Sequence, residues 1–360
     1  MAVLENRLRA FFPPPRYLAR PAAGIDVSTS GVKIALIAPA AHGLELARYA
    51  DLRLPVGAVE GGEIIERGPL VELLAKAARE LRFSRANVSL PESKGYLFEA
   101  SVAGASKAEW RAAIEPRLDE FIPLAPAEAA FDLAAVGKSG AETLVAGVGY
   151  ARRVVEGMLA ALDEAGIDTN ALEGENFALP RALLPWGDAS TVLVVDIGKT
   201  TTKLAIVGRG VPRFATTIAI GGHSLTLAVQ KHFGVTEEEA KRVKAERGIV
   251  PGPGNEDYLA AMLSTCSAIR DEIARRLSYW QSHAAASSGH ERVTSALLVG
   301  GNASVRGLAE YLEGALRIPV STGNVFTNFA DSEHWLPPFD YDASLAFGTA
   351  IGLALRDYEP

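Results

Sequence analysis

Two segments of this chain share one pattern, in which an apolar run ends in aspartate, crosses a short polar turn and continues as a second apolar run. The segment Asp26-Val-Ser-Thr-Ser-Gly-Val-Lys-Ile-Ala-Leu-Ile37 aligns without gaps with Asp196-Ile-Gly-Lys-Thr-Thr-Thr-Lys-Leu-Ala-Ile-Val207. In each segment, apolar and β-branched residues stand on both sides of a polar turn, and this pattern predicts a strand, a turn and a second strand. Because the pattern occurs twice, the sequence predicts two related half-molecules that each present a hairpin to a common cleft.

The predicted turns carry the groups that bind phosphate and metal. Backbone N–H groups and small hydroxyls, concentrated at a tight turn, bind phosphate oxygens. The aspartate beside each turn is a ligand for a hydrated divalent cation. Either segment alone is also consistent with an ordinary β-hairpin that has a polar tip. The second copy favours a shared phosphate site.

Length and composition narrow the classes of protein. The 360 residues predict two domains or one large composite domain. A net charge of −7 argues against nucleic acid as a main partner, since phosphate contacts need clustered basic residues. Cys266 is the single cysteine, which excludes a disulfide framework and a thiolate metal site and fits a reducing compartment. The histidines show no pair spacing typical of metal ligands.

The first residues of the chain raise the question of membrane association. No apolar run approaches the ~20 residues of a spanning helix, and residues 1–9 lack the apolar core of a signal peptide. We therefore expect a cytosolic protein. Within 1–20, Leu4, Leu8 and Phe11 fall near helical spacing beside arginines. Such a basic amphipathic segment suits an anionic membrane surface; a short packed helix or a frayed terminus is the alternative.

The order of predicted elements along the chain is strand-rich at both hairpins and helical between them. The predicted strands of the first hairpin region span 24–28, 32–38 and 44–54, and a helix spans 69–81. Residues 86–166 predict a compact strand–helix–strand–helix unit. A long helix is predicted over 255–285, and a late strand over 295–299 ends in Gly300-Gly301. The final helix, 343–355, is rich in alanine and glycine, which permits close approach of another backbone or of a flat ligand.

This order of elements resembles the actin-like ATPase superfamily, which includes actin, Hsp70, FtsA and sugar kinases. The resemblance implies an α/β fold of the actin-like, ribonuclease H-like type, with two halves that close over a nucleotide. It also implies an inserted α+β subdomain of the kind found in FtsA and PilM.

Several motifs are more closely similar to the PilM family of type IV pilus assembly proteins. They are IPLAPAEAAFDLAAV, YARRVVEGMLAALDEAGI with LEGENFALPRAL, IAIGGHSLTLAVQKHFGVTEEEAKRVK, LLVGGNASVRGLAEYLEGALRIPV and FGTAIGLALR. Together they cover nearly the whole chain, from Pro21 to Arg356. The resemblance implies a cytoplasmic ATP-binding adaptor at the inner face of the cell membrane, at most a slow ATPase, with ATP and Mg²⁺ as cofactors.

The same resemblance implies the partners and the domain organisation. The expected partner is the cytoplasmic N-terminal tail of a PilN-like inner-membrane protein, with other pilus platform proteins and the assembly ATPase as further partners and peripheral membrane association as an option. Residues 1–20 would form an N-terminal amphipathic segment. The implied units are 21–85 with 167–190 and the helix 343–356 as the first half, 86–166 as the inserted partner-binding subdomain, and 191–342 as the second half, including a helical subdomain over 221–290.

Site residues follow from the resemblance position by position. Asp26 and Asp196 would face Mg²⁺, mainly through water, and Glu175 would orient the attacking water, with Asp196 as a second catalytic candidate. The residues implied to contact the cofactor are Thr29, Ser30, Lys33, Gly198, Lys199, Thr200 and Thr201 at the phosphates, Gly221 and Gly222 near the ribose and hinge, and Gly300, Gly301 and Asn302 at adenosine.

Some residues depart from the family pattern and leave alternatives open. Ser28 stands where the family commonly has glycine, and Lys199 and Lys203 are unusual in the second hairpin. A pseudo-ATPase scaffold is therefore one alternative. A sugar or metabolite kinase is another, although the first half lacks an Asn-Asp pair to supply a base. An FtsA-like filament protein is a third, for which we would expect a C-terminal amphipathic helix.

Overall fold

The structure is a computed structural model and describes residues 21–286 and 291–359 of the chain. The predicted amphipathic segment 1–20 and the last four residues of the predicted helical subdomain 221–290 lie outside the described residues. The strands are β1 (Ala23–Ser28), β2 (Gly31–Ala40), β3 (Gly43–Arg53), β4 (Val59–Glu60), β5 (Glu63–Ile64), β6 (Arg85–Leu90), β7 (Gly95–Val102), β8 (Ala129–Ser139), β9 (Glu142–Ala151), β10 (Asp168–Gly174), β11 (Thr191–Ile197), β12 (Thr202–Gly208), β13 (Val211–Ile218), β14 (Ser295–Val299) and β15 (Val320–Thr322). The α-helices are α1 (Arg67–Leu81), α2 (Lys107–Ile114), α3 (Arg152–Glu164), α4 (Glu175–Leu183), α5 (Gly222–Phe233), α6 (Glu237–Arg247), α7 (Glu256–Ala286), α8 (Leu308–Leu316), α9 (Tyr341–Ser344) and α10 (Gly348–Leu355).

Two five-stranded sheets have the same topology. The first sheet has the order β10-β6-β1-β2-β3 and the second the order β13-β12-β11-β14-β15. In both, an antiparallel hairpin pairs on one side with a third antiparallel strand and on the other with parallel strands. Asp26 lies opposite Lys33 in the first hairpin, and Asp196 lies opposite Lys203 in the second. The repeat in the sequence is therefore a repeat of a whole sheet, as the α/β actin-like fold requires.

A third, smaller sheet stands apart from these two. Its order is β7-β9-β8, and with helix α2 it encloses its own apolar core, which includes Phe98, Ile114 and Val145. Strand β6 belongs to the first sheet, and Met158 of α3 packs in the core of that sheet with Leu70. The predicted inserted unit, 86–166, therefore includes two elements, β6 and α3, that belong to the first sheet and its core. The small sheet itself runs from residue 95 to residue 151.

The helices that follow the second hairpin build one side of the second sheet. Helix α6 begins at the capping box predicted from the sequence, in which Thr236 and Glu239 each accept from the other's backbone N–H. Tyr258, Met262 and Cys266 of the long helix α7 are buried in the same core as β11 and β12. The predicted helical region is therefore an integral part of the packing of the second sheet.

The end of the chain returns to the first sheet. The single helix predicted over 343–355 is interrupted at Leu345–Phe347, a 3-10 turn that separates α9 from α10. A Cβ atom added at Gly24 of β1 would lie 1.9 Å from the carbonyl oxygen of Ala350, and one added at Gly352 would lie 1.8 Å from that of Ala178. Helix α10 is thus wedged between β1 and α4, and its small residues permit close approach of protein backbone.

Candidate functional site

A cleft of about 310 Å³ lies where the hairpin turns of the two large sheets face each other, within the size range of small-molecule sites. Most of the residues predicted from the sequence line it. They are Asp26, Thr29, Ser30, Lys33, Glu175, Asp196, Gly198, Lys199, Thr200, Thr201, Gly300, Gly301 and Asn302. The fold thus brings together residues that are up to 276 positions apart in the chain.

Gly221 and Gly222 do not line this cleft. A Cβ atom at Gly221 would lie 2.6 Å from the backbone nitrogen of Thr201, and one at Gly222 would lie 1.9 Å from the side-chain oxygen of Asn302. The backbone N–H of Gly222 donates to the carbonyl oxygen of Gly198 at 2.9 Å. Both glycines therefore lie behind the second turn and let the start of α5 pack against it.

The first turn is held by hydroxyl groups. The Ser89 hydroxyl donates to Oδ1 of Asp26 at 3.0 Å and accepts from the backbone N–H of Val27 at 3.1 Å. The Ser28 hydroxyl donates to the carbonyl oxygen of Gly31 at 3.0 Å, across the turn. Ser28, which departs from the family pattern, therefore closes the turn that carries Thr29 and Ser30 to the cleft.

The second turn depends on Gly300 and Asn302. Gly300 has a positive φ of 92°, and a Cβ atom there would lie 2.2 Å from Oδ1 of Asp196. The side-chain nitrogen of Asn302 donates to the carbonyl oxygen of Gly198 at 3.0 Å, and its Oδ1 accepts from Lys244 at 2.7 Å. Both polar groups of the Asn302 side chain are therefore hydrogen-bonded to protein. The missing side chain at Gly300 leaves room for the carboxylate of Asp196. A Cβ atom at Gly301 would make only an ordinary contact, 3.8 Å from Cβ of Ala346, and Gly301 lines the cleft.

One lysine lies among three carboxylates at the base of the cleft. The ammonium of Lys203 contacts Oε2 of Glu175 and is 4.0 Å from Oδ2 of Asp196. Burial raises the pKa of Glu175, and the charges of Asp26 and Asp196 raise it further, while Lys203 opposes both. Burial also raises the pKa of Asp196. Although burial lowers the pKa of Lys203, the charges of Glu175, Asp196 and Asp26 raise it above its ordinary value, so Lys203 is a fixed cation.

Sequence reasoning missed a fourth carboxylate, Glu92, which follows β6 and lines the cleft with Ser93. Glu92 is 7% exposed and accepts a hydrogen bond from the hydroxyl of Thr217 on β13. Burial raises the pKa of Glu92, and this hydrogen bond opposes the shift. Glu92 and Thr217 can be recognised as site residues only when the pairing of β12 with β13 is known, because this pairing places Thr217 beside Lys203.

The donor set fits a magnesium–nucleotide complex. Mg²⁺ in nucleotide sites keeps several waters and contacts one or two carboxylates, and Asp26 and Asp196 line the cleft from its two sides. Across residues 21–286 and 291–359, no group of three or more His, Cys, Asp or Glu side chains forms a metal cage. Two carboxylates beside two hydroxyl-bearing turns match a cation that is held largely through water and phosphate. None of the helices in these ranges is both long and apolar enough to cross a membrane.

Comparison with known proteins places this architecture. The model of the family described as type IV pilus assembly protein PilM matches residues 24–358. The solved PilM-PilN type IV pilus biogenesis complex has a chain that is 22% identical, with a TM-score of 0.77 over 96% of this chain and 100% of that chain.

Two more distant structures have the same fold. MreB5 of Spiroplasma citri bound to AMPPNP is 15% identical, with a TM-score of 0.53 over 93% of this chain and 95% of its own. EutJ of Carboxydothermus hydrogenoformans is 16% identical, with a TM-score of 0.51 over 96% of this chain and 90% of its own. These likenesses confirm the actin-like fold, and the match over residues 24–358 shows that the chain belongs to the PilM family of type IV pilus assembly proteins.

Proposed function

We propose that this protein binds Mg·ATP in the cleft and serves as an adaptor at the cytoplasmic face of the inner membrane, where it holds the tail of a PilN-like membrane protein. The observation that carries the nucleotide part is the equivalence of the two hairpins. Asp26 and Asp196 occupy matching register positions in two sheets of the same topology, and both line one cleft. An ordinary polar hairpin would not need a matching partner across a cleft.

The chain's own residues supply the phosphate contacts. The turns that carry Thr29, Ser30, Thr200 and Thr201 present backbone N–H and hydroxyl groups to the cleft, which suit phosphate oxygens. Asp26 and Asp196 would hold Mg²⁺ through water, and the metal would neutralise phosphate charge when bound. Exposed Lys199 at the tip of the second turn adds a cation at the same end.

The same geometry suits slow turnover or none. Glu175 lines the cleft where it could orient a water molecule, but its carboxylate is engaged by Lys203. The ammonium keeps this buried carboxylate charged and in place, but it also competes with a water molecule for the carboxylate oxygens. We therefore infer that ATP acts mainly to set the disposition of the two large sheets, which requires that ATP bind one disposition more tightly than another.

The small sheet is the proposed site of the partner tail. Strand β8 has β9 as its one neighbouring strand in the described residues. At the start of β8, Arg152 donates to the carbonyl oxygen of Ala129 and Arg111 to that of Phe131, both at 3.0 Å. The rest of β8 offers an edge to which an extended tail can add as a strand. The solved PilM-PilN complex supports this choice of partner, because there a relative of this chain is in complex with PilN.

The nucleotide part is tested by titration with a fluorescent ATP analogue, with and without Mg²⁺. We expect Asp196→Ala to abolish measurable binding, because it removes one of the two carboxylates that face the metal. Asp257→Ala changes an exposed aspartate at the start of α7 and serves as the matched control. Wild-type affinity in Asp196→Ala would refute the proposed site.

The partner part is tested with a labelled peptide that carries the cytoplasmic tail of a PilN-like protein. The variant Ala134→Glu with Ala135→Glu places charge on two exposed positions of β8. Ala112→Glu with Ala113→Glu makes the same change at exposed positions of α2, on the same small unit. We expect fluorescence anisotropy to show weaker binding to the first variant alone, with an affinity that depends on Mg·ATP. Equal affinity in both variants would exclude the edge of β8.

A further inference from the structure

Two neighbouring side chains of the second sheet contact two acidic side chains that lie just after strands of the first sheet. Lys203 and Thr217 are direct cross-strand partners on β12 and β13, so their side chains lie side by side on one face. The ammonium of Lys203 contacts Glu175, and the hydroxyl of Thr217 donates to Glu92. Both contacts cross the cleft.

The two acids are also neighbours on their own side. Strands β6 and β10 are parallel, with Leu90 paired to Gly174 at their carboxyl ends. Glu92 follows the first of these strands and Glu175 follows the second, so both acids emerge at one edge of the first sheet. They are 7% and 5% exposed, respectively. A pair of side chains on one sheet therefore meets a pair of acids at the edge of the other.

The first hairpin lacks this arrangement. Lys33, the counterpart of Lys203, has Asp51 of β3 as its cross-strand partner and lies 3.7 Å from that carboxylate. In the second sheet the residue at the equivalent position on the third strand is Thr217, which carries no charge. Lys203 instead meets the carboxylate of Glu175 from the opposite side of the cleft. The two sheets therefore differ at this position of the third strand. Because of this difference, Lys203 contacts an acid beside the other sheet, whereas Lys33 contacts an acid within its own.

Because Glu92 and Glu175 are buried, loss of either contact should affect the backbone around it. A carboxylate with so little exposed surface regains only part of its hydration when it loses its partner, so movement or neutralisation is favoured. Glu175 begins helix α4 and Glu92 begins a 3-10 turn, so movement of either carboxylate would disturb a backbone segment. The positions of these two segments are therefore tied to the strand pair β12–β13.

We propose that Lys203 and Thr217 form a clasp with Glu175 and Glu92 that joins the two sheets across the cleft, and that Lys203 is a positioning residue for the Glu175 carboxylate. The clasp is a property of the protein without nucleotide. Its consequence for ATP hydrolysis, through the orientation of Glu175, rests on the proposed function.

Hydrogen–deuterium exchange of the full chain without nucleotide, read by mass spectrometry, tests the clasp. We expect Lys203→Met to speed amide exchange about tenfold in segments 91–95 and 174–178, which lie on the opposite side of the cleft from the substitution. Lys33→Met is the matched control, because Lys33 pairs within its own sheet; exchange in both segments should stay at the wild-type rate. Unchanged exchange in Lys203→Met, or the same increase in both variants, overturns the proposal.

Thr217 offers an independent test that avoids removing a buried charge, and it decides the matter if Lys203→Met fails to fold. Thr217→Val keeps the shape and loses the hydroxyl, whereas Thr217→Ser keeps the hydroxyl. We expect faster exchange at 91–95 in Thr217→Val and wild-type exchange in Thr217→Ser; like behaviour of the two refutes the clasp.

Nucleotide assays separate the clasp from the proposed function. If the wild type binds and slowly hydrolyses Mg·ATP, Lys203→Met should reduce the hydrolysis rate, and Lys203→Arg, which retains a cation, should restore part of it. Loss in Lys203→Met with no recovery in Lys203→Arg counts against positioning through charge. A wild type that fails to bind ATP refutes the proposed function and leaves the exchange result to decide the clasp.

Discussion

Lys244 donates to the side-chain oxygen of Asn302 at 2.7 Å, directly behind the second hairpin turn. Its ammonium also donates to the carbonyl oxygen of Gly222 and the hydroxyl of Thr226, each at 3.2 Å. All three acceptors are neutral oxygens, and Lys244 is 9% exposed. The turn that presents Thr200 and Thr201 to the cleft is therefore supported from behind by a cation that is buried against uncharged groups.

The stability of the protein should depend on pH through Lys244. Burial, together with the smaller effect of the Lys241 charge, lowers the pKa of Lys244 from 10.5 to about 8. The unfolded chain therefore binds the proton more tightly between pH 8 and pH 10.5, and the free energy of unfolding should rise with pH in that window. The rise is at most about 1.4 kcal/mol per pH unit. As pH falls below about 8, both states are protonated and this dependence ends.

Guanidinium unfolding at several pH values between 7 and 10 checks this prediction. We expect Lys244→Met to lack the rise that the wild type shows. Lys241→Met alters an exposed lysine on the same helix and should keep most of the rise, because burial is the larger cause of the shift. The same pH slope in the wild type and in Lys244→Met would contradict the prediction.

Asn302 should matter for stability as well as for the cleft. Asn302→Ala removes one of three acceptors for Lys244 and one of two donors to the carbonyl oxygen of Gly198, which leaves buried polar groups with fewer partners. We expect a loss of about 1–3 kcal/mol in the free energy of unfolding. Asn302→Asp would give Lys244 a carboxylate partner, so the rise in stability between pH 8 and pH 10.5 should disappear while the protein remains folded. Persistence of the rise in Asn302→Asp would show that Lys244 is not its source.

Close packing of α10 should make Gly352 intolerant of any side chain. A Cβ atom there would lie 1.8 Å from the carbonyl oxygen of Ala178, and the three nearest atoms are all backbone atoms of Ala178, which leaves little room to relax. We expect Gly352→Ala to cost about 2–3 kcal/mol or more, measured by chemical unfolding. Gly157 in helix α3 has open space around its Cα, so Gly157→Ala should instead stabilise the protein by about 0.5–1 kcal/mol. Similar effects of the two substitutions would argue against the wedged position of α10.

Cys266 should be unreactive in the folded protein. It is 3% exposed, and burial raises its pKa to about 11, so the thiolate is scarce near neutral pH. We expect iodoacetamide at pH 8 to leave the native protein unmodified by intact mass and to add one group after denaturation in guanidinium. Rapid modification of the native protein would contradict the burial of Cys266 in the core of the second sheet.

The sequence predicted the parts of this structure that local pattern encodes. Apolar, β-branched runs on both sides of the turns after Asp26 and Asp196 were sufficient to predict both hairpins, because register within a hairpin follows from a short turn. The contacts of Glu92 and Thr217 were missed because they join strands from different sheets, and no local pattern encodes such a pairing. Lys203 was noticed only as a departure from the family pattern, although the structure places it at the centre of the acidic groups.

Asn302 is a second example of a residue whose contacts could not be predicted from the sequence. Its position after Gly300-Gly301 led to a predicted contact with adenosine, and in the structure Asn302 lines the cleft. The partner of its side chain could not be predicted, because Lys244 lies 58 residues earlier on α6. Charged residues on an amphipathic helix normally face solvent, so the helical pattern gave no reason to bury this lysine.

The return of α10 to the first sheet has a consequence for the order of events during synthesis. The helix packs against β1 through Gly24, and Asp357 just beyond it accepts from the backbone N–H of Ala22 at 2.8 Å. The second sheet, by contrast, is built from one continuous stretch, residues 191–322. During synthesis the second sheet can therefore pair all of its strands before α10 emerges, whereas the face of the first sheet that α10 covers stays open until then.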